Sequence, residues 1–188
     1  TLDNSTMQGV VRVRGADKPA VDFDLKADIL DLDRYLSRHG RSEKSASSNT
    51  EGSSPRSMDA LRGLDLNGTL AVDALSVANL RLSNTRAAIR AKGGLLGVER
   101  LDSEAYGGRL NVSATMDVRS GIPAYTWDQS VSGLQLGPFL RDLHGSEALS
   151  GTAQASASLQ ARGATEAALK RSLGGRLDFK VVDGAVHG

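Results

Sequence analysis

Three histidines are the side chains of this sequence with the most obvious capacity for metal binding or proton transfer, because the chain contains no cysteine. His39, His144 and His187 lie far apart, and each is followed by glycine, as is typical of residues in turns. A zinc site made from them would need ligands from three separate turns, and the metalloprotease pattern HExxH is absent. We therefore expect no metal site and no cofactor.

Carboxylates are numerous, but their spacing does not favour acid–base catalysis. They alternate with apolar residues, so a solvated strand face explains them; the clearest examples are Asp22, Asp24, Asp65, Asp73 and Asp117. The sequence contains no GxSxG, Walker A or GxGxxG pattern. A glycan-active enzyme on a β-scaffold would need clustered carboxylates, which this spacing does not place. We expect a protein without enzymatic activity.

The composition indicates a folded, β-rich protein that does not bind nucleic acid. Hydrophobic residues make up 39% of the 188 residues and 21 residues are glycine, so the chain can form an aliphatic core with many turns. The 23 basic and 22 acidic residues nearly cancel, which leaves no field that would attract a polyanion. No apolar run approaches the ~20 residues of a membrane-spanning helix. Because the sequence starts at Thr1 and stops just after a strand-like run, we expect a piece of a longer protein, with any membrane anchor outside it.

Alternation of apolar and polar residues predicts about ten β-strands and two short helices. Residues 8–14 and 21–32 are expected to form a hairpin, and Asn67-Gly68 is expected to mark a bulge. The other expected strands are residues 64–73, 75–82, 86–91, 98–105, 110–118, 124–134, 153–161 and 177–181. The helices are expected at residues 138–143, which begin with proline, and at residues 165–173, with Thr165 as N-cap.

The chain divides into three parts on this interpretation. Residues 1–36 contain the hairpin strands, and residues 59–188 contain the remaining strands and both helices. Between them, residues 37–58 are dominated by serine and charged side chains. Such a stretch buries too little apolar surface to offset the entropy of ordering, so it is predicted to be a mobile linker or loop.

The apolar phase of the strands is the remaining candidate for a function. We expect three sets of residues to form one apolar surface; they are Leu66, Leu70 and Val72, then Leu110, Val112, Ala114, Met116 and Val118, and finally Leu177, Phe179 and Val181. Periodicity alone favours an ordinary sheet packed on a second sheet or on the helices. The alternative is a curved sheet whose apolar face is only partly filled and holds acyl chains, since each methylene removed from water contributes about 0.8 kcal/mol.

Several short motifs, taken in order, resemble the C-terminal region of AsmA-like proteins of Gram-negative bacteria. The most specific is LQLGPFLRDL at residues 134–143, and the resemblance spans roughly residues 20–188. The other motifs are DLDRYL at residues 31–36, AYGG at 105–108, LSGT at 149–152, Gly163, the helix that ends LGG at 173–175, and VDGAVHG at 182–188.

This resemblance implies a mainly β fold, an elongated curved antiparallel sheet that forms a taco-like groove similar to that of TamB and chorein-type bridge proteins. It implies a periplasmic protein anchored in the inner membrane by an N-terminal helix that this segment lacks. The implied partners are phospholipid acyl chains, with inner- and outer-membrane proteins as further candidates. No catalytic residues are carried over, because the matching glycines are structural.

Two functions are compatible with these expectations. The first is a module of a hydrophobic groove that carries phospholipid between the membranes and supports outer-membrane biogenesis. The second is a scaffold that modulates porin assembly through an exposed strand edge, by strand addition.

Overall fold

The computed structural model describes residues 5–15, 19–33, 55–145 and 147–186. Within these residues, nine strands form one sheet in which the strands follow each other in chain order. The strands are β1 (Met7–Arg14), β2 (Ala20–Asp31), β3 (Asp65–Val77), β4 (Leu80–Lys92), β5 (Leu95–Ala105), β6 (Gly108–Asp117), β7 (Ala124–Gln135), β8 (Leu149–Arg162) and β9 (Gly174–Val186). The helices are α1 (Pro55–Arg62), α2 (Leu136–His144) and α3 (Glu166–Ser172). The sheet is open and curved, with β1 and β9 at its edges, so the mainly β prediction is confirmed.

The sheet is mixed, whereas the sequence led us to expect an antiparallel one. Every neighbouring pair is antiparallel except β2 and β3, which run parallel, with Ala27 opposite Val72. Parallel neighbours need a crossover connection that returns the chain to the same end of the sheet. Residues 32–64 make that connection here, and α1 is its last part before β3.

The helix α1 begins at Pro55, within the stretch of residues 37–58 that composition predicts to be a linker. Met58 is buried at 6% exposure, so this end of the stretch is part of the folded structure. Residues 37–54 lie outside the described residues, and their predicted mobility stays a prediction. The signals that reveal α1 are a proline at the first helical position and an apolar pair, Met58 and Leu61, three residues apart.

Two details of the predicted strands are wrong. The chain turns at Ala78 and Asn79, so Leu75 belongs to β3 and Leu82 to β4, rather than both to one strand. The Asn67-Gly68 pair is not a bulge, because β3 keeps an unbroken register with β4 on both sides of Gly68. The turn was missed because it contains neither glycine nor proline.

The helices α2 and α3 confirm the two predicted helices. The hydroxyl of Thr165 accepts a hydrogen bond from the backbone N–H of Ala168 at 3.2 Å, which is the expected N-cap contact. Gly145 follows the last residue of α2 and caps the helix, with a left-handed φ of 73° that glycine adopts without strain.

A small core lies at the β2–β3 pair. Ala27, Val72 and Leu75 are at most 9% exposed there. Four partly buried leucines pack around them: Leu30, Leu32, Leu70 and Leu82. Elsewhere in the described part of the chain most apolar side chains are only half-buried, because no second sheet covers them.

Candidate functional site

The strand register places apolar side chains from successive strands side by side on one face of the sheet. Leu66 lies opposite Ala91, which lies opposite Leu96, and Leu96 lies opposite Met116. Parallel rows of the same kind reach across the sheet to β9. We call this surface the apolar face; of the residues predicted from strand phase, it contains Leu66, Leu70, Val72, Leu110, Val112, Ala114, Met116, Leu177, Phe179 and Val181.

The apolar face is covered at β3 and most exposed at the edge strand β9. Val72 is 1% exposed, whereas Leu177 is 63% and Phe179 is 76% exposed. Between these limits, Val112 and Met116 on β6 are half-buried. Apolar side chains of this size normally lose most of their exposure on folding, so the larger apolar side chains from β6 to β9 form an uncovered surface, in which only the small Ala153 and Ala157 are buried.

Two of the predicted residues are packed rather than accessible. Val72 is part of the β2–β3 core, where Ala27 and Leu75 surround it. Val118 follows the end of β6 and is 0% exposed. Arg62 of α1 donates a hydrogen bond from Nε to the carbonyl oxygen of Val118 at 2.9 Å, so α1 lies against this end of the strand. Neither side chain reaches the accessible part of the apolar face.

The opposite face of the sheet is polar, and its side chains form hydrogen bonds with each other across neighbouring strands. Asn111 donates to Asp102 at 2.6 Å, and the hydroxyl of Ser158 donates to Asp128 at 2.6 Å. Two shallow depressions of about 430 and 440 Å³ lie on this side; the first is lined largely by Ser and charged side chains, and the second by Arg86, Arg100 and Asp102 together with small apolar residues. Because these side chains are partnered or solvated, the polar face needs no cover.

Polar groups on the apolar face have partners as well. Thr85 and Ser103 are buried and their hydroxyls lie 2.9 Å apart, while Ser103 also donates to the carbonyl oxygen of Ser83. On β7, the indole N–H of Trp127 donates to the side-chain oxygen of Gln129 at 3.0 Å. No buried side-chain nitrogen or oxygen in the described residues lacks a hydrogen bond. The buried polar side chains of the apolar face are therefore all hydrogen-bonded.

Helix α2 lies at one end of the apolar face and is fixed there by Tyr106, which is in the β5–β6 turn. The Tyr106 ring makes an edge-to-face contact with Phe139, with centroids 5.7 Å apart. Its hydroxyl donates to Asp142 at 2.7 Å, and Arg81 donates to the same carboxylate from Nε and Nη2, both at 2.9 Å. We call Arg81, Tyr106, Phe139 and Asp142 the α2 clamp.

The α2 clamp shifts the titration of its members in opposite directions. The hydrogen bond from Tyr106, followed by that from Arg81, lowers the pKa of Asp142. Burial, and to a smaller extent the hydrogen bond to Asp142, raises the pKa of Tyr106, and the hydrogen bond from the backbone N–H of Arg81 only partly offsets this. Both shifts favour the pair in which Asp142 is ionised and Tyr106 is protonated. The clamp also joins the AYGG and LQLGPFLRDL motifs, a contact that sequence spacing did not reveal.

The histidines do not converge on a site in the described part of the chain. His144 is the last residue of α2, whereas His39 and His187 lie outside the described residues. Among the described residues, no group of three His, Cys, Asp or Glu side chains is placed to hold a metal ion. None of the helices in these described residues is long and apolar enough to cross a membrane.

An open sheet with one polar face and one largely uncovered apolar face places the chain among mainly β proteins without a second packed layer. The model of the AsmA family matches residues 5–188, which is nearly the whole chain, and the chain belongs to that family. No curated protein matches the sequence, and no solved structure matches it either. Membership in the AsmA family suggests a role in outer-membrane biogenesis or lipid transport.

Proposed function

We propose that this segment is a non-enzymatic module of a periplasmic lipid carrier, in which the apolar face holds phospholipid acyl chains between the inner and outer membranes. The observation that carries the proposal is the uncovered apolar surface from β6 to β9, where Phe179 and Leu177 are more than half exposed. Acyl chains need no directional partner, so a continuous aliphatic surface is sufficient to bind them.

The two-faced character of the sheet supports this choice of ligand. Headgroups are polar and stay hydrated, while the chains remain on the apolar face, away from the hydrogen-bonded side chains of the polar face. Nine strands at ~4.8 Å each make a surface about 40 Å across, enough for the length of an acyl chain but not for a periplasm. The segment would therefore be one part of a longer carrier anchored in the inner membrane.

The test is to place a charge on the apolar face and to measure bound phospholipid by native mass spectrometry. In the protein extracted from membranes, we expect Met116→Arg and Val112→Arg to lower copurifying phospholipid at least tenfold. Ser113→Arg, on the polar face of the same strand, is the matched control and should leave it unchanged. We expect Met116→Arg to stay folded, because a charge on an open face is hydrated when lipid is absent.

Val72→Arg is the reference variant for the loss of stability at a packed position, because Val72 is 1% exposed. This variant should unfold, since it leaves an unpaired charge in a dry core. If Met116→Arg unfolds as readily as Val72→Arg and the parent protein carries no phospholipid, the apolar face is an ordinary core and the proposal is wrong.

A second candidate function rests on the sheet edges. In the described part of the chain, β1 and β9 each pair with a strand on one side only, and both carry exposed apolar side chains such as Val11 and Phe179. Unpaired edges of this kind are templates for strand addition. Lipid-free protein that captures an unfolded porin would favour this scaffold function over the carrier.

A further inference from the structure

A cavity of about 240 Å³ lies beneath α2, at the end of the apolar face. It is more enclosed than the depressions on the polar side, because Phe139 and the sheet close it from opposite directions. Its lining is mainly aliphatic or aromatic, with Arg109 and Gln129 as the charged and amide members; the apolar lining includes Leu80, Leu82, Leu110, Val131, Leu134 and Phe139.

We propose that this cavity is a binding site for the methyl-terminal part of a phospholipid acyl chain, an inference that rests on the proposed function and adds a defined subsite to it. The cavity joins the apolar face directly, because Leu110 and Val131 line it and lie opposite each other in the β6–β7 pair. A chain that lies along β6 and β7 therefore enters it without leaving apolar surroundings.

The size and the apolar lining of the cavity fit the methyl end of an acyl chain rather than a polar headgroup. At roughly 30 Å³ for each water-sized group, its volume holds roughly eight such groups, which is a portion of an acyl chain. An apolar cavity offers a water molecule too few hydrogen-bond partners to hold it, and a methylene chain restores the dispersion contacts that an empty space lacks. A polar headgroup would lose its hydration there without gaining equivalent partners.

The α2 clamp closes the cavity and gives it a fixed depth. Tyr106 and Phe139 both line the cavity and contact each other, while Asp142 fixes the helix to Arg81 and Tyr106 on the sheet side. An acyl chain that reaches Phe139 stops there. The structure therefore assigns α2 as the end of the path that the acyl chain takes across this segment.

The experiment compares two phospholipids that carry a photoreactive diazirine on the acyl chain, one at the terminal carbon and one near the middle. After illumination of the lipid-loaded protein, peptide mass spectrometry locates the adducts. We expect the terminal label to react with residues 131–139 and the middle label with strand residues of the apolar face, such as Val112 and Met116.

Val131→Phe fills the cavity, and Val182→Phe is the same substitution on the polar face of β9, outside the cavity and the apolar face. We expect Val131→Phe to reduce adducts of the terminal label at residues 134–139 at least fivefold while total adducts persist, and Val182→Phe to leave them unchanged. Thermal unfolding of each variant establishes that it is folded.

The outcomes separate the two proposals. If both labels react evenly along the apolar face, or if Val131→Phe changes nothing, the chain-end site is wrong and the carrier function survives. If neither label reacts with the parent protein, the proposed function is wrong, and the chain-end site with it.

Discussion

At the scale of single residues, glycine and aromatic side chains determine how closely the strands approach each other. Gly68 on β3 lies beside Phe23 on β2, and a Cβ atom at Gly68 would be 2.2 Å from the Phe23 carbonyl oxygen and 2.5 Å from its Cγ. The Phe23 ring therefore occupies the space that a side chain at position 68 would need. This contact explains why position 68 is a glycine, whereas the sequence alone predicts a bulge there.

We expect Gly68→Ala to destabilise the protein by about 1–3 kcal/mol, because the clash includes backbone atoms that cannot move aside. Gly174→Ala is the matched control, since a Cβ atom there meets nothing within 4 Å. Chemical denaturation of both variants is the measurement. Equal stability of the two variants would contradict the packing of Phe23 on Gly68.

The α2 clamp is also a residue-scale feature, and Tyr106→Phe tests it. Loss of the hydroxyl removes its hydrogen bonds with Asp142 and with the backbone N–H of Arg81, at a cost of roughly 1 kcal/mol or ~2–4 °C in Tm. Tyr125→Phe is the control, because the Tyr125 hydroxyl makes no hydrogen bond within the described residues.

The pH dependence of the Tm difference between the parent protein and Tyr106→Phe follows from the pKa shifts of Asp142 and Tyr106. The lowered pKa of Asp142 contributes stability that is present above its unfolded value of about 3.9 and is lost as pH falls through the folded value. The raised pKa of Tyr106 contributes stability that is present below about 10 and is lost as pH rises through the folded value. The Tm difference between parent and Tyr106→Phe should be constant from about pH 5 to 9 and should shrink outside that window. A difference that is equally large at pH 2 would contradict the clamp.

At the scale of elements, the β3–β4 hairpin shows what sequence patterns detect and what they miss. Ala78 and Asn79 have φ angles of 53° and 63°, the left-handed conformations that a two-residue hairpin turn requires. Their backbone N–H groups donate to the carboxylate of Asp33, at 2.5 and 2.9 Å respectively. Asp33 is 45 residues away in the sequence from Ala78, so no local pattern could identify the group that stabilises the turn.

We expect Ala78→Gly to stabilise the protein by about 0.5–1 kcal/mol. Glycine removes the left-handed strain of about 1–2 kcal/mol, and part of that gain is lost to the greater entropy of the unfolded chain. Asn79→Gly should change stability less, because asparagine tolerates this conformation. Thermal unfolding of the two variants is the measurement, and a larger gain for Asn79→Gly would contradict the explanation.

Other elements divide between local and long-range causes in the same way. The strand phases and helices α2 and α3 followed from alternation, Pro138 and Thr165, because these signals act within a few residues. The parallel β2–β3 pair did not follow, because its direction depends on the whole of the crossover. Strand phase placed eleven residues on one face, and the strand register keeps ten of them there. It could not predict that Val72 and Val118 would be buried, since their cover comes from distant segments.

At the scale of the whole molecule, the sheet has one small core and a large apolar surface outside it. A β-sandwich would cover both halves of the apolar face, whereas here packing is concentrated at the β2–β3 core and the exposed fraction reaches 76% at Phe179 on β9. The distribution of buried surface, rather than any single residue, is what favours a ligand over a second protein layer.

The most direct test of this account is photocrosslinking from the two faces of β6. A photoreactive amino acid is placed at position 114, on the apolar face, and separately at position 113, on the polar face of the same strand. After illumination of cells that produce the protein, adducts are identified by mass spectrometry. We expect phospholipid adducts from position 114 and none above background from position 113. Equal labelling from both positions, or no lipid adduct from position 114, would contradict an acyl chain on the apolar face.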